Sequence, residues 1–360
     1  MLLAIDTDLV GRDGSGNETY LRGILAGLQR LPHSAPELLL IGGDPAAIEE
    51  VAGHHARVVP AHTGLVHDVL VGRRMRWLAA DASLTHYNAP LGYRGVVATV
   101  VHDLSFLRVP ETYPVALRKR IAWSVARSVR RSDLVVTSSH FSRDELLAEY
   151  PRLRAEDVVV TYSAADQEFR VQRTVQDLEA VRAKFRLPDV FVLAVGNLQP
   201  RKNLVRLAEA TRTAGLPLVV AGRPTWKSPQ RLARFGAPGV RWLGYVTKAD
   251  LAVLYRLATV FAYPSLYEGF GLPVVEAMAS GTAVLTSNTS ALREVAGSAA
   301  ILVDPYSTEA IAEGIQSLVE DPQKRATLRE RGRLRAAEFS WDESAAKLNS
   351  AIRQRLARRS

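Results

Sequence analysis

Short apolar runs alternate along the chain with longer stretches whose apolar residues recur at helical spacing. Continuous runs of Val, Leu and Ile are typical of strands that are buried on both faces of a parallel sheet, and the helical stretches between them suit right-handed crossover connections. The strand-like runs form two series. The first is "LLAI", "LLLIG", "VVATVVH", "DLVVTSS" and "DVVVTY", and the second is "DVFVLAVG", "PLVVAG", "VRWLGY", "TVFAYPS", "TAVLTS" and "AAILVD".

Two series of strands predict an α/β protein with two doubly wound, Rossmann-like parallel sheets that face a cleft. At 360 residues the chain is long enough for two such domains. We place the first domain at 1–165, a polar linker at 166–188 and the second domain at 189–338. Residues 339–360 predict an amphipathic helix that is capped by Ser340 and packs back toward the first domain.

Composition excludes several classes of protein. The chain has no cysteine, which rules out disulfides and cysteine-ligated metals and suits a reducing cytoplasm. No apolar run approaches the roughly 18–20 residues that span a bilayer, and the opening "MLLAIDTDLV" is too short and too acidic for a secretory signal. We therefore expect a cytoplasmic protein that is soluble or peripheral at the inner face of the membrane.

Charge is unevenly spread. Residues 1–170 hold 19 Lys and Arg against 20 Asp and Glu, whereas residues 171–360 hold 27 against 17. A basic second half suits an anionic ligand, although many solvated arginines would give the same balance. In the first half, "VALRKRIAWSVARSVRRS" (115–132) carries six basic residues and no acidic one. Together with "GRRMRW" (72–77) it could dock an anionic membrane; the competing interpretation is an ordinary helix with a basic outer face.

The stretch "YEGFGLPVVEAMASG" (267–281) combines a glycine-rich turn with the start of a helix. It follows the strand-like run "TVFAYPS", and ligands of open α/β sheets bind at the carboxyl ends of strands. Pro273 suits the first helical turn. The amides of Phe270, Gly271 and Leu272, with the positive helix terminus, suit an anion such as a pyrophosphate.

Two carboxylates lie on either side of this turn. Glu276, which we expect in the first helical turn, could accept hydrogen bonds from a vicinal diol such as a ribose. Glu268 could meet sugar hydroxyls on the other side of the phosphates. The structural alternative is that Glu276 only complements the helix dipole and that Glu268 is a surface residue.

A counter-charge for the phosphates is offered by "GNLQPRKN" (196–203), which follows the first strand of the second series. Arg201 can neutralise a diphosphate bidentately and Lys202 as a point charge. An Arg-Lys pair in a loop is otherwise usually a solvated face. Its position after a strand of the same sheet favours binding.

The first half offers weaker candidates. Gly14 and Gly16 form a turn after the opening strand, and its amides could face the cleft. Many such loops carry glycines for geometry alone. His102 and Asp103 stand at the carboxyl end of "VVATVVH", where a His-Asp pair is as often structural as catalytic. We expect Ser142 to cap the following helix.

These motifs converge on a family. "YPSLYEGFGLPVVEAMASGTAVLTSNTSALREVAGSAAILVDP" (263–305) closely resembles the E-x7-E region of the family 4 retaining glycosyltransferases, which have the GT-B fold. "THYNAP", "VVHDLSFLRVPETYP", "GNLQPRKN" and "WLGYV" match further blocks in order, so the resemblance covers most of the chain. The "HDLSF" block is most similar to bacterial mannosyltransferases that build surface polysaccharides. The chain departs from the family at "YSAADQEF" (162–169) and at Arg293, where Pro is common.

The resemblance implies a retaining hexosyltransferase that moves mannose from GDP-mannose onto a sugar, glycan or lipid-linked acceptor held by the first domain. Glu276 would bind the nucleotide ribose and Glu268 the donor sugar. Arg201 and Lys202 would stabilise the leaving diphosphate, and His102 would contact the donor sugar near its reacting carbon. The other donor-binding residues implied are Gly14, Gly16, Tyr245, Val246, Gly269, Phe270, Gly271 and Leu272, and the acceptor candidates are Tyr87, Asn88, Asp103 and Ser138.

The chemistry that we expect needs neither cofactor nor metal. No carboxylate of the first domain stands out as a covalent nucleophile, which favours same-face attack with a departing phosphate oxygen taking the acceptor proton. Asp6-Thr7-Asp8 matches the metal-binding D-x-D of a different glycosyltransferase fold. It ends the first strand without a further acidic or His ligand arranged around it, so we interpret it as structural.

Other functions stay open. A UDP-sugar-dependent transferase of the same family, for glucose or an N-acetylhexosamine, has the same motifs, and a same-fold sugar-nucleotide epimerase would form no glycosidic bond. An NAD-dependent dehydrogenase would want G-x-G-x-x-G, and "GSGNET" lacks the third glycine. A nucleic-acid binder is suggested only by charge, and we expect no nucleic-acid partner.

Overall fold

Two parallel sheets organise the chain, each in its own folding unit. The computed structural model describes residues 1–11, 16–32, 35–52, 56–59, 67–223 and 239–359. One unit comprises Met1–Ser163 and the segment from Ser340 onward, and the other comprises Ala164–Phe339. Residues 166–188, assigned above to a linker, cluster with the second unit.

The first unit is a seven-stranded parallel sheet in the order β3-β2-β1-β4-β5-β6-β7. This order, in which the chain moves outward from β1 and then continues on its other side, is that of a doubly wound fold. Its strands are β1 (Leu2–Asp6), β2 (Glu37–Ile41), β3 (Ala56–Val59), β4 (Ala82–His86), β5 (Val96–Val100), β6 (Leu134–Thr137) and β7 (Val158–Val160). Its first six helices are α1 (Gly16–Arg30), α2 (Pro45–Ala52), α3 (His67–Trp77), α4 (Ser105–Arg108), α5 (Val115–Arg131) and α6 (His140–Glu149).

The second unit is a six-stranded parallel sheet in the order β10-β9-β8-β11-β12-β13, the same winding as the first. Its strands are β8 (Val192–Val195), β9 (Leu218–Ala221), β10 (Val240–Gly244), β11 (Val260–Tyr263), β12 (Val284–Ser287) and β13 (Ile301–Val303). Its helices in the described chain are α7 (Val175–Phe185), α8 (Leu204–Thr213), α9 (Lys248–Leu257), α10 (Leu272–Ala279), α11 (Ser290–Ala296), α12 (Thr308–Glu320) and α13 (Pro322–Ala337).

Every run predicted as a strand is a strand in the structure, and most of them contribute fully buried apolar side chains to their sheet. The edge strand β10 is the exception, since none of its side chains is buried. Two strands of the first unit were not predicted. The short edge strand β3 has the sequence "ARVV", and β4 has the sequence "ASLTH". In β4 the polar residues Ser83 and Thr85 are buried, and their hydroxyls lie 3.4 Å from the Val96 carbonyl and 3.5 Å from the Thr99 hydroxyl.

The last helix, α14 (Trp341–Ala357), packs on α1 of the first unit. Its predicted cap is confirmed, since the Ser340 hydroxyl accepts a hydrogen bond from the Glu343 amide at 3.3 Å. Gly23 of α1 makes the contact possible. A Cβ added to Gly23 would lie 2.3 Å from the Trp341 ring, so only glycine allows the two helices to approach this closely.

Within the described ranges, no helix combines the length and the apolar character needed to traverse a bilayer.

Candidate active site

Two cations and a carboxylate meet at the carboxyl ends of β8 and β11. Arg201 Nη1 lies 2.7 Å from Glu268 Oε2, and Lys202 Nζ lies 2.7 Å from Glu268 Oε1. The Arg201 and Lys202 side chains are 15% and 11% exposed, and Glu268 is buried. The alternatives of a solvated Arg-Lys face and a surface glutamate are therefore wrong for the described chain.

The loop that presents these cations is fixed by Asn203, which the sequence analysis missed. Asn203 adopts a left-handed backbone conformation with φ of 59°. Its buried amide donates hydrogen bonds to the Pro264 carbonyl at 3.0 Å and the Pro305 carbonyl at 2.6 Å. The Leu266 amide also donates to the Arg201 carbonyl at 2.8 Å. The 196–203 loop is thus tied to the segment that follows β11.

Tyr263, the last residue of β11, completes this group and was also missed. Its hydroxyl donates to Glu268 Oε1 at 3.0 Å, and Lys202 Nζ donates to the same hydroxyl. Lys202 Nζ lies 4.8 Å from the centre of the Tyr263 ring, within cation–π range. The position of Tyr263 at the carboxyl end of a strand was the one available signal.

The electrostatics of the group keep Glu268 ionised. Burial alone would raise the pKa of Glu268, but the positive charges and hydrogen bonds of Arg201 and Lys202 lower it from 4.5 to about 2. A buried carboxylate is stable only when it is paired in this way. A cationic pocket that is internally balanced by one carboxylate suits a ligand that brings both phosphates and hydroxyls.

Glu276 lies in a different electrostatic environment. It is the fifth residue of α10, so the expectation that it belongs to the first helical turn is wrong. It is buried, and it accepts a hydrogen bond from the Tyr255 hydroxyl at 3.1 Å. Burial is the largest cause that raises the pKa of Glu276 from 4.5 to about 8. Complementing the helix dipole does not explain such a position.

The turn before α10 has the geometry that the sequence indicates. Gly271 is the N-cap residue of α10 with φ of 105°, which favours glycine. A Cβ at Gly271 would also lie 2.5 Å from Leu292 Cδ2. Pro273 stands in the first helical turn as predicted. Phe270 is buried against Phe339, and Gly269, Phe270 and Leu272 lie on the same turn.

An exposed aromatic platform follows β10. Tyr245 is 61% exposed, and the Arg223 guanidinium lies 4.3 Å from the centre of its ring. Val246 comes next and is half-buried. Gly222, at the end of the neighbouring strand β9, donates its amide to the Gly244 carbonyl at 2.8 Å. An exposed ring that is stacked with a planar cation at this sheet edge suits the flat face of a nucleobase.

In the first unit, His102 is buried among aromatic rings after β5. Its ring centre lies 4.7 Å from that of Tyr20, 5.5 Å from that of His86 and 5.9 Å from that of Tyr87. Burial lowers the pKa of His102 to about 4, so the imidazole is neutral at physiological pH. Its Nε2 has no hydrogen-bond partner among the described residues. The role assigned to His102 stays a prediction.

The acceptor candidates make local structural bonds. Asp103 accepts the Ser105 amide at 2.8 Å, and Ser138 donates to the His102 carbonyl at 3.2 Å. Asn88 accepts from the Ser124 hydroxyl, and Tyr87 has a left-handed backbone with φ of 58°. Their roles in binding an acceptor stay predictions.

Two further expectations concern the loops of the first unit. The cap of α6 is Ser139, whose hydroxyl accepts the Ser142 amide at 3.0 Å, so the prediction that Ser142 caps the helix is wrong. Ser142 instead donates to the His102 carbonyl at 3.1 Å. Gly16 is the exposed first residue of α1, and Gly14 lies outside the described residues.

Among the residues that the structure describes, no three His, Asp or Glu side chains gather in a way that could hold a metal ion. Asp6 of the D-x-D sequence pairs with His67, with 2.9 Å between Oδ2 and Nε2, so the expectation that no His is arranged around this sequence is wrong.

Known proteins resemble this chain in sequence. The family model described as glycosyl transferases group 1 matches residues 177–335. O-antigen chain mannosyltransferase B of Escherichia coli is 34% identical over 289 residues, which cover 75% of this chain and 74% of that protein.

Solved structures match both units. Sucrose-phosphate synthase from Thermosynechococcus elongatus has a TM-score of 0.78 at 19% identity and covers 99% of each chain. Anabaena Alr3699/HepE, in complex with UDP and glucose, has a TM-score of 0.74 at 20% identity and covers 98% of this chain and 100% of that chain. At these identities the likeness establishes the fold.

Proposed function

The chain belongs to the group 1 glycosyl transferases and is a hexosyltransferase with the GT-B fold, and we propose that it moves mannose from GDP-mannose onto a glycan or lipid-linked acceptor. The observation that carries the proposal is the balanced group of Arg201, Lys202 and Glu268 beside the start of α10. The choice of mannose is supported by the mannosyltransferase that shares 34% identity with the chain.

Each part of the site suits one part of the donor. Arg201 and Lys202 would take the diphosphate, aided by the amides of the turn at Gly271. Glu268 would then turn from balancing the two cations to accepting hydrogen bonds from the donor sugar. Glu276 would accept hydrogen bonds from the ribose hydroxyls. Because Glu276 is buried, these hydroxyls would take the place that water has at an exposed carboxylate. The aromatic face of Tyr245 would meet the base.

The proposed chemistry retains the configuration at the sugar carbon. Cleavage of the bond between the sugar and the phosphate builds negative charge on the diphosphate. Arg201 and Lys202 are already in place to stabilise that charge, a contribution of roughly 3–4 kcal/mol for each well-placed donor. The departing phosphate oxygen takes the proton of the acceptor hydroxyl as the new bond forms on the same face. In this scheme the two cations stabilise the diphosphate charge that a metal ion stabilises in other transferases.

A thermal-shift panel of GDP, UDP, ADP and dTDP sugars tests the nucleotide site. We expect one base to raise the melting temperature of the wild type, since a ligand at about 100 times its Kd adds roughly 2.7 kcal/mol. Glu276→Gln should lose the shift, and Glu313→Gln, which changes an exposed glutamate of α12, should keep it. A folded wild type that responds to no nucleotide would contradict the proposal.

A second donor class has its own support. The structural neighbour from Anabaena was solved with UDP and glucose, so a UDP-hexose is the alternative donor. The panel decides between the two, because the preferred base is read out directly. Product analysis with the preferred donor and a mannose-terminated glycan separates transfer from epimerisation. A new glycosidic bond supports transfer, and an epimerised sugar nucleotide without one would overturn it.

A peripheral contact with an anionic membrane is the second part of the proposal. Trp123 of α5 is 64% exposed and Trp77 of α3 is 75% exposed. The two helices are tied together by Arg127 of α5, whose Nη2 lies 2.7 Å from Asp68 Oδ2 of α3. Trp123 stands one turn from the exposed Lys119 and Arg120 on α5. The Arg74 guanidinium lies 5.7 Å from the centre of the Trp77 ring. Exposed tryptophans with neighbouring cations are the combination that binds an interface with anionic headgroups.

Flotation with phosphatidylglycerol vesicles at moderate salt tests the membrane contact. We expect the wild type to float and the double variant Trp77→Ser and Trp123→Ser to remain in solution. Val175→Ser, which changes a residue of the second unit that is 65% exposed, is the matched control and should float. This part of the proposal would be contradicted if the wild type did not float, or if Val175→Ser lost flotation as the double variant does.

A further inference from the structure

Four arginines gather on the second unit away from the group at Glu268. Arg329 and Arg333 stand one turn apart on α13, Arg256 is in the last turn of α9, and Arg173 precedes α7. We call these four residues the arginine cluster. They come from three separate parts of the chain, so the cluster is made by the fold.

Local contacts bring the members together. The Arg333 guanidinium lies over Gly281, where an added Cβ would be 2.4 Å from Nη2. The next residue, Thr282, donates its hydroxyl to the Tyr255 carbonyl at 2.5 Å, which places Arg256 beside the same corner. Arg256 Nη2 in turn donates to the Val171 carbonyl at 2.7 Å, close to Arg173.

The cluster has too few counter-charges. Arg173 pairs with Glu168, and Arg333 lies 3.3 Å from the exposed Glu330. Arg256 and Arg329 form no ion pair with any described residue. In addition, the buried Nε atoms of Arg173, Arg256 and Arg329 have no hydrogen-bond partner in the described part of the chain.

This arrangement costs stability. Burial and the charges of Arg333 and Arg173 lower the pKa of Arg256. Burial and the charges of Arg325 and Arg333 lower the pKa of Arg329. Like charges four residues apart on a helix also repel each other. Only two of the four cations have a carboxylate partner among the described residues, so an anion from solution would relieve the repulsion within the cluster.

We propose that the arginine cluster is a second anion site, which takes a phosphate-bearing ligand and is distinct from the cations at Glu268. Guanidinium groups recognise phosphate because their paired N–H donors match two of its oxygens, and phosphate carries more than one negative charge to share among several arginines. A dissolved phosphate compound and a lipid headgroup present the same chemistry. The proposal stands independently of the donor and acceptor suggested above.

The first test is a titration of the full chain with inorganic phosphate and with pyrophosphate at constant ionic strength, NaCl replacing the anion. We expect a saturable rise in melting temperature in the wild type and in Lys202→Gln, which weakens the cationic group at Glu268. Arg329→Gln and Arg256→Gln should bind phosphate at least tenfold more weakly. Arg331→Gln is the matched control, because Arg331 is exposed and points away from Arg329 and Arg333 on the same helix.

A second readout separates binding from a purely structural role. In phosphate-free buffer at low salt, Arg329→Gln should melt at a higher temperature than the wild type, since one repelled cation is gone. A structural role would instead lower it. If dissolved phosphate binds to the wild type and to both cluster variants with the same affinity, the proposal is overturned. A lower melting temperature of Arg329→Gln in phosphate-free buffer overturns it as well.

An experiment with lipid vesicles distinguishes a lipid headgroup from a dissolved phosphate compound as the ligand. Phosphatidylglycerol vesicles are added to the Trp77→Ser and Trp123→Ser variant, with and without Arg329→Gln. Vesicle binding that needs Arg329, without an effect of dissolved phosphate, assigns the site to a lipid headgroup. A response to dissolved phosphate alone assigns it to a soluble compound. Absence of both responses contradicts the proposal.

Discussion

At the scale of single residues, the two glutamates of the E-x7-E sequence have opposite protonation states in the folded chain. Glu268 is paired with Arg201 and Lys202, and its pKa is lowered to about 2. Glu276 has one hydroxyl partner, and burial raises its pKa to about 8. The first is suited to stay charged throughout a reaction, and the second can gain or lose a proton at physiological pH.

Glu276 should make donor binding depend on pH. If the ribose hydroxyls need the ionised carboxylate, the affinity for GDP-mannose rises by up to tenfold for each pH unit below the pKa of about 8 and then levels off. Calorimetric titration at pH 6.5, 7.5 and 8.5 measures this dependence, and Glu276→Gln should bind weakly and equally at all three. An affinity of the wild type that is flat over this range would contradict the assignment.

The raised pKa of Glu276 also predicts how the free energy of unfolding changes with pH. Because the folded-state pKa of about 8 lies above the ordinary 4.5, the folded chain holds the proton more tightly than the unfolded chain. The tighter binding of the proton adds to the free energy of unfolding. This contribution is fully present below pH 4.5 and is lost as the pH rises through 8, by about 1.4 kcal/mol per pH unit. Urea unfolding at pH 6 and pH 8.5 checks it. The difference in unfolding free energy between the two pH values should be smaller in Glu276→Gln than in the wild type.

Lys202 is expected to matter for turnover more than for folding. Replacement by Gln keeps most of the side chain while removing the charge that would stabilise the leaving diphosphate, and Arg201 still pairs with Glu268. We expect kcat to fall about 10²- to 10³-fold. Steady-state kinetics of Lys202→Gln against Lys347→Gln, an exposed lysine of α14, measures the effect. Unchanged turnover of Lys202→Gln would exclude Lys202 from the site.

The sequence predicted the charged members of the site better than the neutral ones. Arg201, Lys202 and Glu268 were identified because each follows a strand of one sheet, and the structure brings their charged groups within 2.7 Å. Tyr263 and Asn203 were missed. Each meets a partner 61 positions away, Tyr263 the Lys202 ammonium and Asn203 the Pro264 carbonyl, and local sequence patterns contain no information on such contacts.

At the scale of elements, apolar periodicity located most strands and failed for β4. Its sequence "ASLTH" looks polar, but its hydroxyl groups face neighbouring backbone and hydroxyl groups inside the sheet. A buried strand can thus carry Ser and Thr when they replace lost water by internal hydrogen bonds. The sequence could not show this, because the partners belong to β5, which follows later in the chain.

The contact of α1 with α14 should depend on the small size of Gly23. In Gly23→Ala the added Cβ would overlap the Trp341 ring, so α14 must shift. We expect the unfolding free energy of the first unit to fall by about 1–3 kcal/mol. Differential scanning calorimetry measures it. Gly16→Ala, where nothing lies within 4 Å of the added atom, is the control and should keep its stability.

At the scale of the whole molecule, the chain leaves the first unit after Ser163 and returns to it at Ser340. The side chains that would bind the diphosphate and the ribose, those of Arg201, Lys202 and Glu276, lie in the second unit, whereas α14 belongs to the first. Nucleotide affinity should therefore be insensitive to changes at α14. Trp341→Ala removes the ring that packs against Gly23 of the first unit.

Hydrogen exchange on the full chain tests this independence. In Trp341→Ala we expect faster exchange in α1 and α14, an affinity for GDP within about twofold of the wild type, and weaker transfer to the acceptor. GDP should slow exchange at 196–203 and 266–279 equally in both proteins. A large loss of GDP affinity in Trp341→Ala would contradict the assignment of the nucleotide to the second unit, because Trp341 belongs to the first unit.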